Sequence, residues 1–218
     1  MAARISPYKI RGKLKNKYEG GLNRSSFFIE EVTMNYAEIK KRDISNGPGV
    51  RVSVFVSGCS LHCNGCFNDI AWNFNYGKTF TNDTIDEIIE ALRPDYISGL
   101  TVLGGEPFEF VNQKGILPLL KRVREEFPEK SIWCYSGYYF DKEIIDEMSR
   151  KWPVTKEMLS YIDVLVDSRF DIDYLDLNLR FKGSSNQRII DVQKSLKEGS
   201  IVLWKDEGVF YNGDQERC

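Results

Sequence analysis

The chain has 218 residues, 42% apolar and 28% charged, with a net charge of −2. That length carries a full hydrophobic core in one domain, and the near-neutral charge excludes a general nucleic-acid binder. No apolar run approaches the roughly 18 residues that a membrane span requires, so no membrane is expected as a partner.

Residues 1–33 are basic, with seven Lys/Arg against three Asp/Glu, while the remainder is acidic. The stretch has little periodicity and few core-forming residues. It reads as a flexible basic arm, a transit segment, or sequence upstream of an alternative start at Met34. Its acids speak against a transit peptide. We therefore expect an N-terminal extension with no assigned chemistry over 1–33, a domain over 34–204 and a loose tail over 205–218. Cys218 is expected to be an exposed free thiol.

Asn35 to Asp43 is polar and mixed, and suits a short edge strand. Asn46-Gly47-Pro48-Gly49 makes a tight turn. Val50 to Val56 is β-branched and aromatic, which predicts a strand with one largely buried face. Gly58-Cys59-Ser60-Leu61-His62-Cys63-Asn64-Gly65-Cys66-Phe67 follows directly. Trp72, Phe74, Tyr76 and Phe80 read as a hydrophobic wall over that loop. Thr81 to Thr84 offers helix caps, and Ile85, Ile88, Ile89 and Leu92 recur at helical spacing before Pro94. Gly99 to Leu103 predicts a second strand, ending in Gly104-Gly105-Glu106-Pro107. Two glycines there let a ligand approach the backbone, though a plain turn would also use them. Ile116, Leu119, Leu120 and Val123 mark a second helix. Ser131 to Tyr135 predicts a third strand, with Cys134 a small core residue and Ser136-Gly137 after it. Phe140 to Met148 reads as a helix and Tyr161 to Val166 as a fourth strand, followed by Asp167-Ser168-Arg169. Arg180 to Arg188 is polar and of a kind that closes over a site. Ile189 to Leu196 suits a short helix, and Ile201 to Trp204 a last strand or edge.

Strands alternating with amphipathic helices predict an α/β fold with a parallel sheet. Right-handed crossovers then put every strand's C-terminal end on one side. The cysteine loop, the Gly-Gly-Glu-Pro turn, Ser136-Gly137 and Asp167-Ser168-Arg169 each follow a strand, so all four fall at the end where α/β enzymes carry their sites. This convergence argues for an enzyme.

Three cysteines spaced C-x3-C-x2-C point to a metal centre. Three thiols cannot pair off as disulfides, and clustered free thiols fit a reducing, cytoplasmic compartment. A structural zinc site brings two separated ligand pairs together, and no second pair exists. His62, the only histidine, adjoins Cys63 and reads as a solvated or supporting side chain. A four-iron cubane usually takes four thiolates; three leave one iron open.

From Met34 to about Val192 the chain resembles the anaerobic ribonucleoside-triphosphate reductase activating proteins, a branch of the radical S-adenosylmethionine (SAM) superfamily. The resemblance rests on Asn46 to Gly49, Val56 to Cys59 with Cys63 and Cys66, Gly104 to Pro107, Trp133 to Tyr138, Val166 to Phe170 and Gly183 to Arg188. It implies a partial, open β/α barrel with a mostly parallel sheet. It implies that Cys59, Cys63 and Cys66 hold a [4Fe-4S] cluster whose fourth iron takes SAM, and that the 5′-deoxyadenosyl radical released there removes a hydrogen atom from a glycine of the reductase. Gly65, Cys66 and Phe67 would flank the adenosine. Gly104, Gly105 and Glu106 would face the methionyl end, with Ser136 nearby. Asp167 would meet the ribose hydroxyls and Arg169 the carboxylate; the alternative for those two is a surface ion pair near a strand end. No catalytic group beyond the cluster and SAM is implied. The implied partners are the reductase large subunit and an electron donor such as a flavodoxin. The alternatives are an activase of another glycyl radical enzyme, a 7-carboxy-7-deazaguanine synthase, or a non-catalytic iron–sulfur or zinc module.

Overall fold

A computed structural model describes residues 33–206. The expectations for the N-terminal extension, for most of the tail and for Cys218 lie outside the described residues. Within them, seven strands form one sheet in the order β3-β1-β2-β4-β5-β6-β7. They are β1 (Asn35–Asp43), β2 (Val50–Val56), β3 (Lys78–Thr79), β4 (Ile97–Gly104), β5 (Ser131–Tyr135), β6 (Val164–Asp167) and β7 (Arg188–Asp191). The helices are α1 (Asn82–Leu92), α2 (Phe110–Glu126), α3 (Phe140–Met148, wound as a π-helix), α4 (Pro153–Tyr161) and α5 (Val192–Glu198). No helix among the described residues is long and apolar enough to cross a membrane.

The expected α/β class holds, and the pairing refines it. The strands β2, β4, β5 and β6 are mutually parallel, while β1, β3 and β7 pair antiparallel at the margins. The sheet does not close into a barrel. Each parallel step is a strand–helix–strand crossover, because parallel neighbours need a long connection. β1 is not the edge it was expected to be: the two-residue β3 pairs outside it. Ile189 and Ile190 belong to β7 rather than to a helix. Asp191 caps α5 by accepting the Lys194 N–H at 3.0 Å, so the helix begins at Val192. Leu203 makes only an isolated bridge to Ile190.

Alternation along β2 explains how the sheet is clothed. Val52, Val54 and Val56 point to one face and join Ile88, Ile116, Leu120 and Ile144 in the main core beneath the helices. Full burial of such a side chain stabilises by about 1.5–3 kcal/mol. Arg51, Ser53 and Phe55 point to the other face. One largely buried face was expected, and on the other face Arg51 and Ser53 are fully buried as well. Arg51 donates to Thr101 Oγ1 (2.7 Å), the carbonyls of Leu100 (2.7 Å) and Ser131 (2.8 Å) and Ser131 Oγ (3.0 Å). Its guanidinium lies 5.6 Å from the Trp133 ring centroid, and burial pulls its pKa down to about 10. Trp133, Phe181 and Trp204 pack edge-to-face beside it as a second, smaller cluster. Between these covers, at the C-terminal ends of the parallel strands, the second face is left concave.

Candidate metal centre

The concavity is a cavity of about 450 Å³, lined by Cys59, Cys63, Cys66, Phe67, Gly104, Gly105, Glu106 and Ser136 among others. Four strand ends meet there, as the element order predicted. Cys59 is buried and Cys63 and Cys66 are partly exposed; all three are free thiols. Among the described residues no three His, Cys, Asp or Glu side chains converge on the space of a single ion. The thiols instead share the wall of a larger hollow, which suits a group whose ligands bind different irons.

Local geometry explains why the loop wraps as it does. Gly58 has φ +98°, and a Cβ there would lie 2.2 Å from the Phe74 ring, so the expected aromatic wall sits directly on the loop. His62 is exposed and stacks on Trp72, with centroids 4.5 Å apart. It also takes a left-handed backbone at φ 48°. Ser168 and Phe181 do likewise at φ 79° and 60°, and both line the same cavity. Strained backbone of this kind clusters at functional sites.

Each sulfur faces backbone donors. The N–H groups of Leu61 and His62 point at Cys59, that of Phe170 at Cys63, and the Asn68 N–H donates to Cys66 Sγ at 3.4 Å. Such bonds stabilise thiolates and tune iron–sulfur potentials. Without metal, burial dominates: it pushes the Cys59 thiol up to about 11 and raises Cys63 as well. Metal binding must therefore displace protons. The soft thiolate donor set and its N–H cradle fit an iron–sulfur cluster.

The remaining expected site residues separate into groups. Glu106 is 1% exposed, and its oxygens accept from the N–H of Phe108 (2.8 Å), the N–H of Gly137 (2.7 Å) and the Ser136 hydroxyl (2.9 Å). One lone pair remains on Oε2, and burial pushes its pKa up to about 7. The two glycines before it serve the protein's own backbone. A Cβ on Gly104 would lie 2.7 Å from the β2 backbone, and one on Gly105 2.5 Å from the Gly58 carbonyl. The Gly105 N–H is itself given to Val56 O at 2.7 Å, which is not the free ligand-facing donor expected. Phe67 is 73% exposed at the rim, against Phe170. Gly65, at φ 72°, faces Ile172 rather than the cavity.

Asp167 and Arg169 are placed differently from expectation. Asp167 is fully buried and off the cavity wall; Arg188, the Phe140 N–H and the Ser168 hydroxyl occupy its oxygens. Arg188 also pairs with Asp141 at 2.8 Å. Arg169 is half exposed, pairs with Glu143 at 3.3 Å, and lines an adjoining cleft with the outer side of Cys63. Reading the sequence missed Asn112 and Glu109, and placed Arg188 in a polar closing segment without its carboxylate partners; all three hold these segments together. Their partners in the cysteine loop and at the end of β6 are far away in sequence, so no local pattern reveals those contacts.

A protein-family model described as "4Fe-4S single cluster domain" matches residues 45–190. An anaerobic ribonucleoside-triphosphate reductase-activating protein of phage T4 is 40% identical over 156 residues, covering 72% of this chain and 93% of the relative. The chain belongs to that activating-protein family. Members of the same name from Haemophilus influenzae and Escherichia coli K12 are 39% and 40% identical, over 97% and 96% of their own lengths. The cysteine loop, the Gly-Gly-Glu-Pro turn and the ends of β5 and β6 all lie within the matched 4Fe-4S region. An iron–sulfur activase is thus the class to which this family's cavity belongs.

Proposed function

We propose that the chain activates an anaerobic ribonucleoside-triphosphate reductase through reductive cleavage of SAM at a [4Fe-4S] cluster held by Cys59, Cys63 and Cys66. One observation carries the reading: among the described residues, three free thiols and no fourth share one cavity at the C-terminal ends of the parallel strands, beside a buried carboxylate. The open sheet is read as the partial barrel of radical SAM enzymes.

A [4Fe-4S] cluster held by Cys59, Cys63 and Cys66 would supply one-electron reduction of the SAM sulfonium, with methionine as the leaving group and hydrogen abstraction from a glycine of the reductase as the outcome. The chain's own residues do the rest. Backbone N–H groups of the loop and of Phe170 stabilise the thiolates. The spare Oε2 lone pair of Glu106 accepts from the methionyl ammonium, while Ser136 and Gly137 hold that carboxylate in place. Phe67 and Phe170 keep water off the adenosine, and Gly65 lets the loop turn beneath it. The half-exposed Arg169 is available to a carboxylate only if it leaves Glu143. Asp167 acts through Arg188 and the start of α3, fixing the strand end from which Ser168 reaches the cavity. The open rim admits the reductase, and the electron comes from a donor protein of flavodoxin type.

Single replacement of each thiol tests this. Cys59→Ser, Cys63→Ser and Cys66→Ser should each lose most iron after anaerobic reconstitution and all 5′-deoxyadenosine formation. Cys134→Ser, in the core, should keep both. Retention of SAM cleavage by any of the three loop variants would refute the ligand assignment.

A further inference from the structure

Cys59 is held unlike its two companions. Before it, Asn112 in the first turn of α2, itself fully buried, donates its side-chain amide to the carbonyls of Ser57 (3.0 Å), Gly58 (3.2 Å) and Glu106 (2.9 Å). After it, the Glu109 carboxylate accepts the Ser60 N–H at 2.8 Å and also the Ser60 hydroxyl. The Tyr138 hydroxyl lies 3.4 Å from that of Ser60, over the same junction. Glu109 directly precedes α2 but does not cap it; its side chain reaches across to the cysteine loop instead. Backbone bonds from Gly58 N–H to Ala71 O (2.8 Å) and from Cys59 N–H to Trp72 O (3.1 Å) complete the grip. The stretch from Leu61 to Phe67 is tied down far less. Its one backbone–backbone hydrogen bond among the described residues is Cys66 N–H to Cys63 O, at 3.2 Å.

We infer that the start of α2 is a positioning device that presets Cys59, while Cys63 and Cys66 ride on a looser arm that closes on the metal. The inference rests on the reading that these three thiols hold the cluster. Asn112 and Glu109 are positioning residues: they grip the chain on both sides of one ligand. The physical reason is entropic. Metal binding to a site that is not preformed must order it at the cost of binding energy. One preset thiol lowers that cost, and a mobile arm still lets the cluster enter.

Thiol reactivity in the metal-free chain tests this without any loaded enzyme. Iodoacetamide labelling is followed cysteine by cysteine by mass spectrometry. In the parent, Cys63 and Cys66 should label quickly, Cys59 slowly and the core Cys134 most slowly. Glu109→Ala should speed Cys59 by about tenfold, the worth of one charge-assisted hydrogen bond, and leave Cys134 unchanged. Glu109→Gln keeps an acceptor for Ser60 while removing the charge, so it should recover part of the slowing and label Cys59 at a rate between those of the parent and Glu109→Ala. Asn112→Ala should speed Cys59 with the same selectivity. The proposal is overturned if Cys59 is unmoved in Glu109→Ala, if Cys59 and Cys134 rise together as in general unfolding, or if Glu109→Gln behaves as the alanine does. After reconstitution, Glu109→Ala should release iron to a chelator several-fold faster than the parent. If no chain takes up iron, the metal-centre reading fails, and the labelling rates still decide the positioning claim.

Discussion

A carboxylate with almost no contact with water sits at the centre of the site. Three donors support the Glu106 anion, yet burial outweighs them and pushes its pKa from 4.5 up to about 7. The sign follows. Between those two values the folded chain binds the proton more tightly than the unfolded one, so this residue's contribution to stability falls as pH rises from about 4.5 to about 7 and is level above it. The span corresponds to on the order of 3 kcal/mol. Glu106→Gln cannot titrate and should lose that slope. Urea midpoints of parent and variant at pH 5 and pH 7.5 check this: the parent should fall relative to the variant as pH rises, and parallel behaviour would contradict it. Such a residue was half legible in the sequence. Its place after two glycines marked it as a site residue, but its engagement with Ser136 and Gly137, thirty residues on, needed the fold. Asp167 carries the same lesson more sharply. Its position after a strand suggested a ligand, while the guanidinium of Arg188 on β7 takes its oxygens.

At the scale of elements, the two glycines at the end of β4 are explained by the backbone they let past. Gly105 lies where the β4 turn and the cysteine loop touch, and a methyl group there would stand 2.5 Å from Gly58 O and 3.0 Å from Ala71 O. Neither is a flexible side-chain end. Gly105→Ala should therefore force the loop and turn apart, costing about 2 kcal/mol, and lower the melting temperature by about 4–8 °C. Thermal unfolding followed by circular dichroism checks it, and an unchanged melting temperature would show that the contact yields freely. The strands β2, β4 and β5 were legible because apolar, β-branched runs are a local signal. The pieces that misled were those whose state depends on a neighbour. β3 is two residues long and exists only by pairing with β1. Ile189 and Ile190 carry a pattern that serves strand or short helix equally, and the edge of β6 decided for strand. The burial of Arg51 was not legible, because nothing near it in sequence shows the Leu100 and Ser131 carbonyls and the Thr101 and Ser131 hydroxyls that accept from it.

At the largest scale, the described residues form a parallel four-strand centre with antiparallel margins. One face lies under helices, and the other hollows at the strand ends. That arrangement turns four separate sequence segments into one cavity. The order of strands and helices made the convergence legible in the sequence, because parallel crossovers leave the chain no other side on which to place strand-end loops. The gripping of Cys59 by α2 and the exclusion of Asp167 from the wall were not legible, since both are settled by side chains meeting across the sheet. The central claim is that this cavity turns SAM and an electron into a radical on a partner protein. The most direct measurement combines the reconstituted, reduced protein with SAM and an anaerobic ribonucleoside-triphosphate reductase under strict anaerobiosis. It then follows 5′-deoxyadenosine and the electron paramagnetic resonance signal of the reductase. The account predicts both products, a glycyl radical on the reductase and about one 5′-deoxyadenosine per radical formed. A cluster whose spectrum is indifferent to SAM, with neither product, would contradict it.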